Sequence, residues 1–402
     1  MFKRNYRKNI GLMAGVEFFA FLGITSFWIL FLSQNGMSLW QIGLLESIFH
    51  ATSVICEIPS GMLADRYSYK TNLYLSRIAG IASSILMLLG QGNFWIYALA
   101  MVVSALSYNF DSGTSAAMVY DSVVEAGLKE RYLPISSFMS GVAEGTRSLG
   151  TVLAGFFVHG QLHLTYYIMI ATSIIVLCLT WMLKEPSVKA QKSERLTMKK
   201  IIWTVKEELR RNPSLFGWMI LSQIIGTLMC MFYFYYQNQL PDLEGWQISM
   251  VMLIGSVLNI WAVYLASKIG KRYSALKLFP ILVLLTGGTY LLSYFGTPLI
   301  YILVYLISNA LYALFQPIFD NDLQKRLPSE VRATMLSVYS MMFSLSMIVI
   351  FPLTGWLIDY LGFVVAFLYL GFVLVLASFL LFFILKEMAG SLELKENVIS
   401  KK

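Results

Sequence analysis

Gly61-Met62-Leu63-Ala64-Asp65-Arg66-Tyr67-Ser68-Tyr69-Lys70 is a short charged stretch between two long apolar runs, 41–63 and 72–90. Charge in hydrocarbon is expensive, so Asp65, Arg66 and Lys70 belong at a water-facing surface. Gly61 lets the backbone turn or pack closely. The stretch reads as a tight loop joining two membrane helices, and the rest of the chain repeats that arrangement.

The 402 residues are 57% hydrophobic and only 13% charged, with a mean hydropathy of +0.68. A soluble domain carries about 25% charged residues. The net charge of +8 does not point to nucleic acid, because the basic residues are spread between apolar runs and form no aromatic-interleaved patch. Cys56, Cys178 and Cys230 all fall within apolar runs, so neither a disulfide framework nor a metal-ligand spacing is visible. The first apolar run follows Met1–Lys8, is too long for a signal-peptide core, and is followed by many like it; it reads as a retained first helix.

A spanning helix needs about 20 apolar residues. By that measure helices are expected at 10–33, 41–63, 72–90, 94–119, 135–158, 164–183, 214–237, 246–267, 275–294, 298–319, 332–357 and 363–385, twelve in all. With the N-terminus placed in the cytoplasm, the alternating loops on that side take nearly every Lys and Arg. The opposite loops, near 34–40, 91–93, 159–163, 238–245, 295–297 and 358–362, contain none. That asymmetry sets the orientation, with both termini cytoplasmic. Away from the helix ends, only Arg77 and Arg147 lie within helices. The long polar segment 185–213 divides the chain into 1–184, a linker, and 214–402. In the linker Leu196, Ile201, Ile202, Val205 and Leu209 share a helical face, which would lie on the membrane surface; a flexible linker is the alternative.

A degenerate repeat ties the halves together. Val263–Arg272 aligns on the opening stretch half a chain later, with Leu265, Lys268 and Arg272 matching Leu63, Arg66 and Lys70. Tyr120-Asp121-Ser122 is echoed by Phe319-Asp320-Asn321. Six helices, a linker and six more is how two-bundle secondary transporters are built. The opening stretch resembles the G-x-L-a-D-R-x-G-R-K loop of the major facilitator superfamily. Gly61, Leu63, Asp65, Arg66 and Lys70 match, whereas Ser68 and Tyr69 replace the usual Gly and Arg. Glu57-Ile58-Pro59-Ser60 and Pro328–Thr334 extend the resemblance over nearly the whole chain. It implies an all-α membrane fold of two six-helix bundles related by a pseudo-two-fold axis. It also implies a gating loop formed by Gly61, Asp65, Arg66 and Lys70.

Ionisable groups inside membrane helices are costly and raise a functional hypothesis by default. Here they concentrate in the first half: Glu17, Glu46, His50, Glu57, Asp111, Glu144 and Arg147. The resemblance places the first and fourth helices on a central cavity and the fifth beside it. Arg147 is therefore expected to pair with Asp111 or Glu17 in a network that loads and releases protons; a static ion pair is the alternative. Glu144 and Arg147, three apart, could also satisfy each other. Glu46 and His50 share one face of the second helix and form no zinc motif. They read either as a proton entry point or as a hydrogen-bonded buried pair. Candidate cavity residues are Asn109, Gln223, Phe232, Tyr235, Tyr236, Asn259, Asn309 and Gln316. The aromatic run 231–237 also fits an interfacial belt.

The expected function is a secondary transporter without cofactor or metal, exporting amphipathic or drug-like small molecules against a proton flow by alternating access. It resembles the bacterial drug/proton antiporter-like branch. Two departures stand out: the fifth helix has Gly150 and Gly155 but no Gly-Pro, and Asn109 replaces the Arg four residues before Gly113. The alternative is a dedicated carrier of one endogenous metabolite, peptide or lipid. An enzyme is not expected, since no His-Glu-x-x-His, Gly-x-Ser-x-Gly or Cys/His cluster occurs. The expected setting is a monomer in the plasma membrane of a bacterium, with lipid, protons and a small-molecule substrate as partners.

Overall fold

The computed structural model describes the backbone of residues 2–66, 68–186, 203, 206–207, 209–240, 242–327 and 332–399. It describes their side chains except 2–5, 58–66, 333–334 and 386–399. Fourteen α-helices account for most of it: α1 Phe2–Ala20, α2 Trp28–Gln34, α3 Leu39–Arg66, α4 Tyr69–Leu89, α5 Phe94–Asp111, α6 Thr114–Glu125 and α7 Tyr132–Ala154. Then come α8 His163–Met182, α9 Pro213–Tyr235, α10 Gly245–Ile269, α11 Ala275–Leu291, α12 Pro298–Arg326, α13 Arg332–Leu361 and α14 Phe363–Ile399. Among the described residues nine helices are long and apolar enough to cross a membrane. The three expected runs outside that set, at 10–33, 94–119 and 135–158, carry the charged and interrupted stretches of the first half.

Two of those runs are broken. The first is α1 and α2 separated by Phe21–Phe27, where Gly23, Thr25 and Ser26 replace helix-forming residues. Within the break Gly23 O accepts from both Ser26 N at 3.2 Å and Ser26 Oγ at 2.5 Å, a local turn that competes with helix. The second is α5 and α6, divided at Ser112–Gly113. Gly113 has φ +78°, a left-handed conformation open to glycine at little cost. Thr114 Oγ1 donates to Phe110 O at 2.9 Å across that junction.

The chain forms two compact units. The first comprises Met1–Met37, Leu44–Arg195 and Leu243–Met252, the second Ser38–Gly43, Leu196–Asp242 and Leu253–Lys402. The first unit has an aliphatic core in which Met13 and Val16 of α1 meet Leu73 of α4, Met118 and Val123 of α6, Met139 of α7 and Val176 of α8. α7 reaches the α1–α2 break at Gly150: a Cβ there would collide with the backbone of Gly23. Small residues permit that approach in lipid. Gly141 and Gly145 of the same helix have open space at the Cβ position.

The second unit is aromatic. Trp218 packs edge-on against Phe279 and tilted against Phe319, at 5.1 and 5.0 Å between ring centroids. Phe232 meets Phe367, Phe363 and Tyr290 at 4.7, 5.4 and 5.6 Å. Within this unit Asp359 of α13 caps the N-terminus of α3, accepting from Leu39 N at 3.2 Å and Trp40 N at 2.7 Å. A carboxylate there satisfies orphan amides and complements the helix dipole.

The departures Ser68 and Tyr69 have structural work. Ser68 is the N-cap of α4, accepting from Thr71 N at 3.1 Å. Tyr69 OH donates to Asp121 Oδ2 at 2.8 Å, and the Glu185 carboxylate accepts from Tyr69 N and Lys70 N at 2.7 and 3.1 Å. Lys70 Nζ donates to Trp181 O and Leu183 O at 3.0 and 2.8 Å. The expectations for the side chains of Gly61, Asp65 and Arg66, and for most of 185–213, lie outside the described residues.

Candidate functional site

Both helix breaks open on one cavity of about 630 Å³ in the first unit. Glu17, Ala20 and Phe21 reach it from the end of α1, and Asp111, Ser112 and Gly113 from the α5–α6 junction. Irregular backbone at membrane depth is tolerated where it is buried in protein or lines a cavity, and interrupted helices are a pointer to binding sites in transporters.

The charge pairing within it differs from the expectation. Asp111 is held by Arg77 of α4, whose Nη2 donates to Oδ2 at 2.6 Å, with the two side chains 8% and 14% exposed. Ser115 Oγ donates to the other oxygen at 2.7 Å. Arg147 instead lies 3.4 Å from Glu144, with both side chains largely exposed, and its guanidinium stands 5.5 Å over the Phe21 ring. The reason is azimuth: α4 turns Arg77 inward beside the buried Asn72, Ser76, Ser83 and Ser84. That polar stripe is legible in the sequence and was the signal for Arg77. Glu17 is buried and lines the same cavity. Glu17, Asp111 and Arg147 are thus brought together; Glu144 is not among the lining residues.

A second cavity of about 300 Å³ adjoins the first through the shared residues Phe49, Ser104 and Ser107. Glu46 lines it, and His50 Nε2 lies 3.4 Å from Glu46 Oε1. The other expected cavity residues are not among those lining these two cavities. Asn109 exchanges two 2.9 Å hydrogen bonds with Ser53, tying α5 to α3. Gln223 Nε2 donates to Tyr339 O at 3.2 Å. Phe232, Tyr235 and Tyr236 are fully buried; Tyr235 OH donates to Phe351 O at 2.8 Å, and Tyr236 stacks on Tyr305 at 4.2 Å. Asn259, Asn309 and Gln316 are half-buried on α10 and α12. Among the described residues no group of His, Cys, Asp and Glu is placed to hold a metal ion.

The family model of the Major Facilitator Superfamily matches residues 10–351. The chain belongs to the major facilitator superfamily. An uncharacterized MFS-type transporter of Bacillus subtilis (strain 168), YxaM, is 27% identical over 205 residues. That match spans about half of either protein, 47% of each. Among solved structures, the nucleoside transporter NupG is similar with a TM-score of 0.74 at 14% identity, over 96% of this chain and 99% of that one. A POT family transporter in complex with a thioalcohol-conjugated peptide follows at TM-score 0.73 and 16% identity, covering 95% and 96%. At such identities the likeness is one of fold. Family and fold are those of transporters, not enzymes.

Proposed function

We propose that the chain is a secondary transporter that exports amphipathic small molecules in exchange for protons, by alternating access. The observation that carries the reading is the convergence of two interrupted helices on a cavity holding Glu17, Asp111, Arg77 and Arg147. A carboxylate opposed by a guanidinium changes its proton affinity as the two separate, so any motion that lengthens the Arg77–Asp111 contact would alter proton loading. In this reading 1–184 and 214–402 act as two six-helix bundles joined by 185–213. The termini face the cytoplasm, on the Lys and Arg asymmetry of the loops, and the protein works as a monomer in a bacterial plasma membrane.

A second reading has its own support. The cavity balances two carboxylates with two guanidinium groups, a charge pattern suited to a zwitterionic metabolite or peptide, and a peptide-bound transporter shares the fold. Dye efflux from an efflux-deficient bacterial host separates the two. Under the first reading the wild type exports lipophilic dyes, a protonophore stops it, and Asp111→Asn lowers export at least about tenfold at equal membrane abundance. If no dye moves from cells with folded protein, the dedicated carrier takes its place. If export persists in Asp111→Asn, coupling moves to Glu17 or to Glu46 and His50.

A further inference from the structure

We propose that the second cavity of the first unit is a binding chamber for a small protonated amine; its physiological meaning rests on the transporter reading, its chemistry does not. At about 300 Å³ it lies at the lower end of ligand-sized pockets. The first cavity balances its charges, but among the described residues Glu46 is the only charged one lining the second, and His50, 3.4 Å from it, does not line the cavity.

The hydroxyl bookkeeping points the same way. Ser83 Oγ donates to Ala100 O at 2.9 Å, Ser84 Oγ to Gly80 O at 2.9 Å and Ser107 Oγ to Ser76 O at 2.7 Å. A carbonyl can only accept, so each serine has committed its single proton and has lone pairs left to offer. With the Glu46 carboxylate, these walls are rich in acceptors. They fit a ligand that brings N–H donors and positive charge.

Tyr166 supplies an aromatic wall. Its side chain lines the cavity, is 5% exposed, and its hydroxyl has no hydrogen-bond partner among the described residues. The Phe31 ring, 4.7 Å away, holds the tyrosine ring in place. That hydroxyl is sealed from the open cavity, so the tyrosine offers its ring, not its polar tip, to a ligand. Trp28, Phe49 and Tyr166 together offer aromatic surface that attracts a cation and buries an apolar body. Met87, Met101 and Met169 are adaptable wall material. The ligand class that meets all of this is an arylalkylammonium of about ten heavy atoms.

Titration calorimetry of the purified full chain in lipid nanodiscs, without any gradient, tests it with 2-phenylethylammonium as the probe and neutral 2-phenylethanol as its counterpart. Saturable binding of the amine is expected, with the alcohol bound at least about tenfold more weakly, the scale of one lost charge-assisted bond. Glu46→Gln should weaken the amine by a similar factor, and Tyr166→Leu, which removes the aromatic wall, about threefold to tenfold, each measured on protein that stays folded. The chamber is overturned if the wild type shows no saturable amine binding or binds the alcohol equally well. It is also overturned if Asp111→Asn removes binding that Glu46→Gln leaves intact. Should Glu46→Gln not fold, the amine–alcohol pair and Tyr166→Leu still decide. Dye export that continues in a protein unable to bind the amine sinks the chamber and leaves the export reading standing.

Discussion

Away from the helix ends, Arg77 and Arg147 are the two arginines within the expected helices, and their environments are opposite. Arg77 is buried against Asp111, while Arg147 is about half exposed beside Glu144. Removing one partner of a buried ion pair leaves an uncompensated charge, at a cost of about 3–5 kcal/mol, whereas exposed pairs contribute roughly 0–1 kcal/mol. Arg77→Ala should therefore lower the thermal stability of the detergent-solubilised protein strongly, and Arg147→Ala hardly at all. Arg77→Ala combined with Asp111→Ala should recover part of the loss, since neither charge remains unpaired. A double variant no more stable than the strict sum of the singles would show that the pair is not coupled. From the sequence, depth along the helix could be estimated for both arginines, and the clustering of ionisable groups in the first half was plain. Which of them meet depends on how each helix is rotated about its axis. The stripe Asn72, Ser76, Ser83 and Ser84 held that information for α4, because polar residues at helical spacing inside a span mark its protein-facing side.

At the scale of elements, apolar runs of about 20 residues made the helices legible. The interruptions were hidden within them. Gly23 is a packing glycine against α7 that also lies in the α1–α2 break, while Gly113 holds a left-handed junction. Gly113 can be tested cleanly, because a Cβ there would meet nothing within 4 Å and only the backbone conformation is at issue. A non-glycine residue in that conformation costs about 1–2 kcal/mol, least for Asn and Asp. Gly113→Ala should thus lower the melting temperature more than Gly113→Asn does. Equal melting for both and for the wild type would mean that the junction does not rely on the positive φ. The Ser68 cap and the Tyr69–Asp121 contact carry a related lesson. Residues that depart from a family's motif were not blanks but the parts that fix how α4 begins here.

Across the whole molecule the two units divide polar and apolar work. The first encloses charged groups in cavities formed at interrupted helices; the second fills its interior with rings, Trp218, Phe279, Phe319, Phe232 and Phe367 among them. That asymmetry was visible as the scarcity of charged residues at depth in the second half, although the aromatic run 231–237 read as a cavity lining or an interfacial belt, whereas Phe232, Tyr235 and Tyr236 are buried. Truncating a buried Phe costs about 3–5 kcal/mol through lost contacts and the space left behind. Phe232→Ala should accordingly melt several degrees lower, while the fraction that stays folded keeps the protonophore sensitivity of the wild type in dye efflux. Glu17→Gln should do the reverse. It preserves size in the cavity and so keeps the melting temperature, but it removes a titrating group and with it the response of export to the proton gradient. Melting and efflux measured on the same two variants decide the matter. If Phe232→Ala changes the gradient dependence, the coupling chemistry is not confined to the first unit and the division of labour fails; if Glu17→Gln leaves it untouched, coupling rests on Asp111 or on Glu46 and His50.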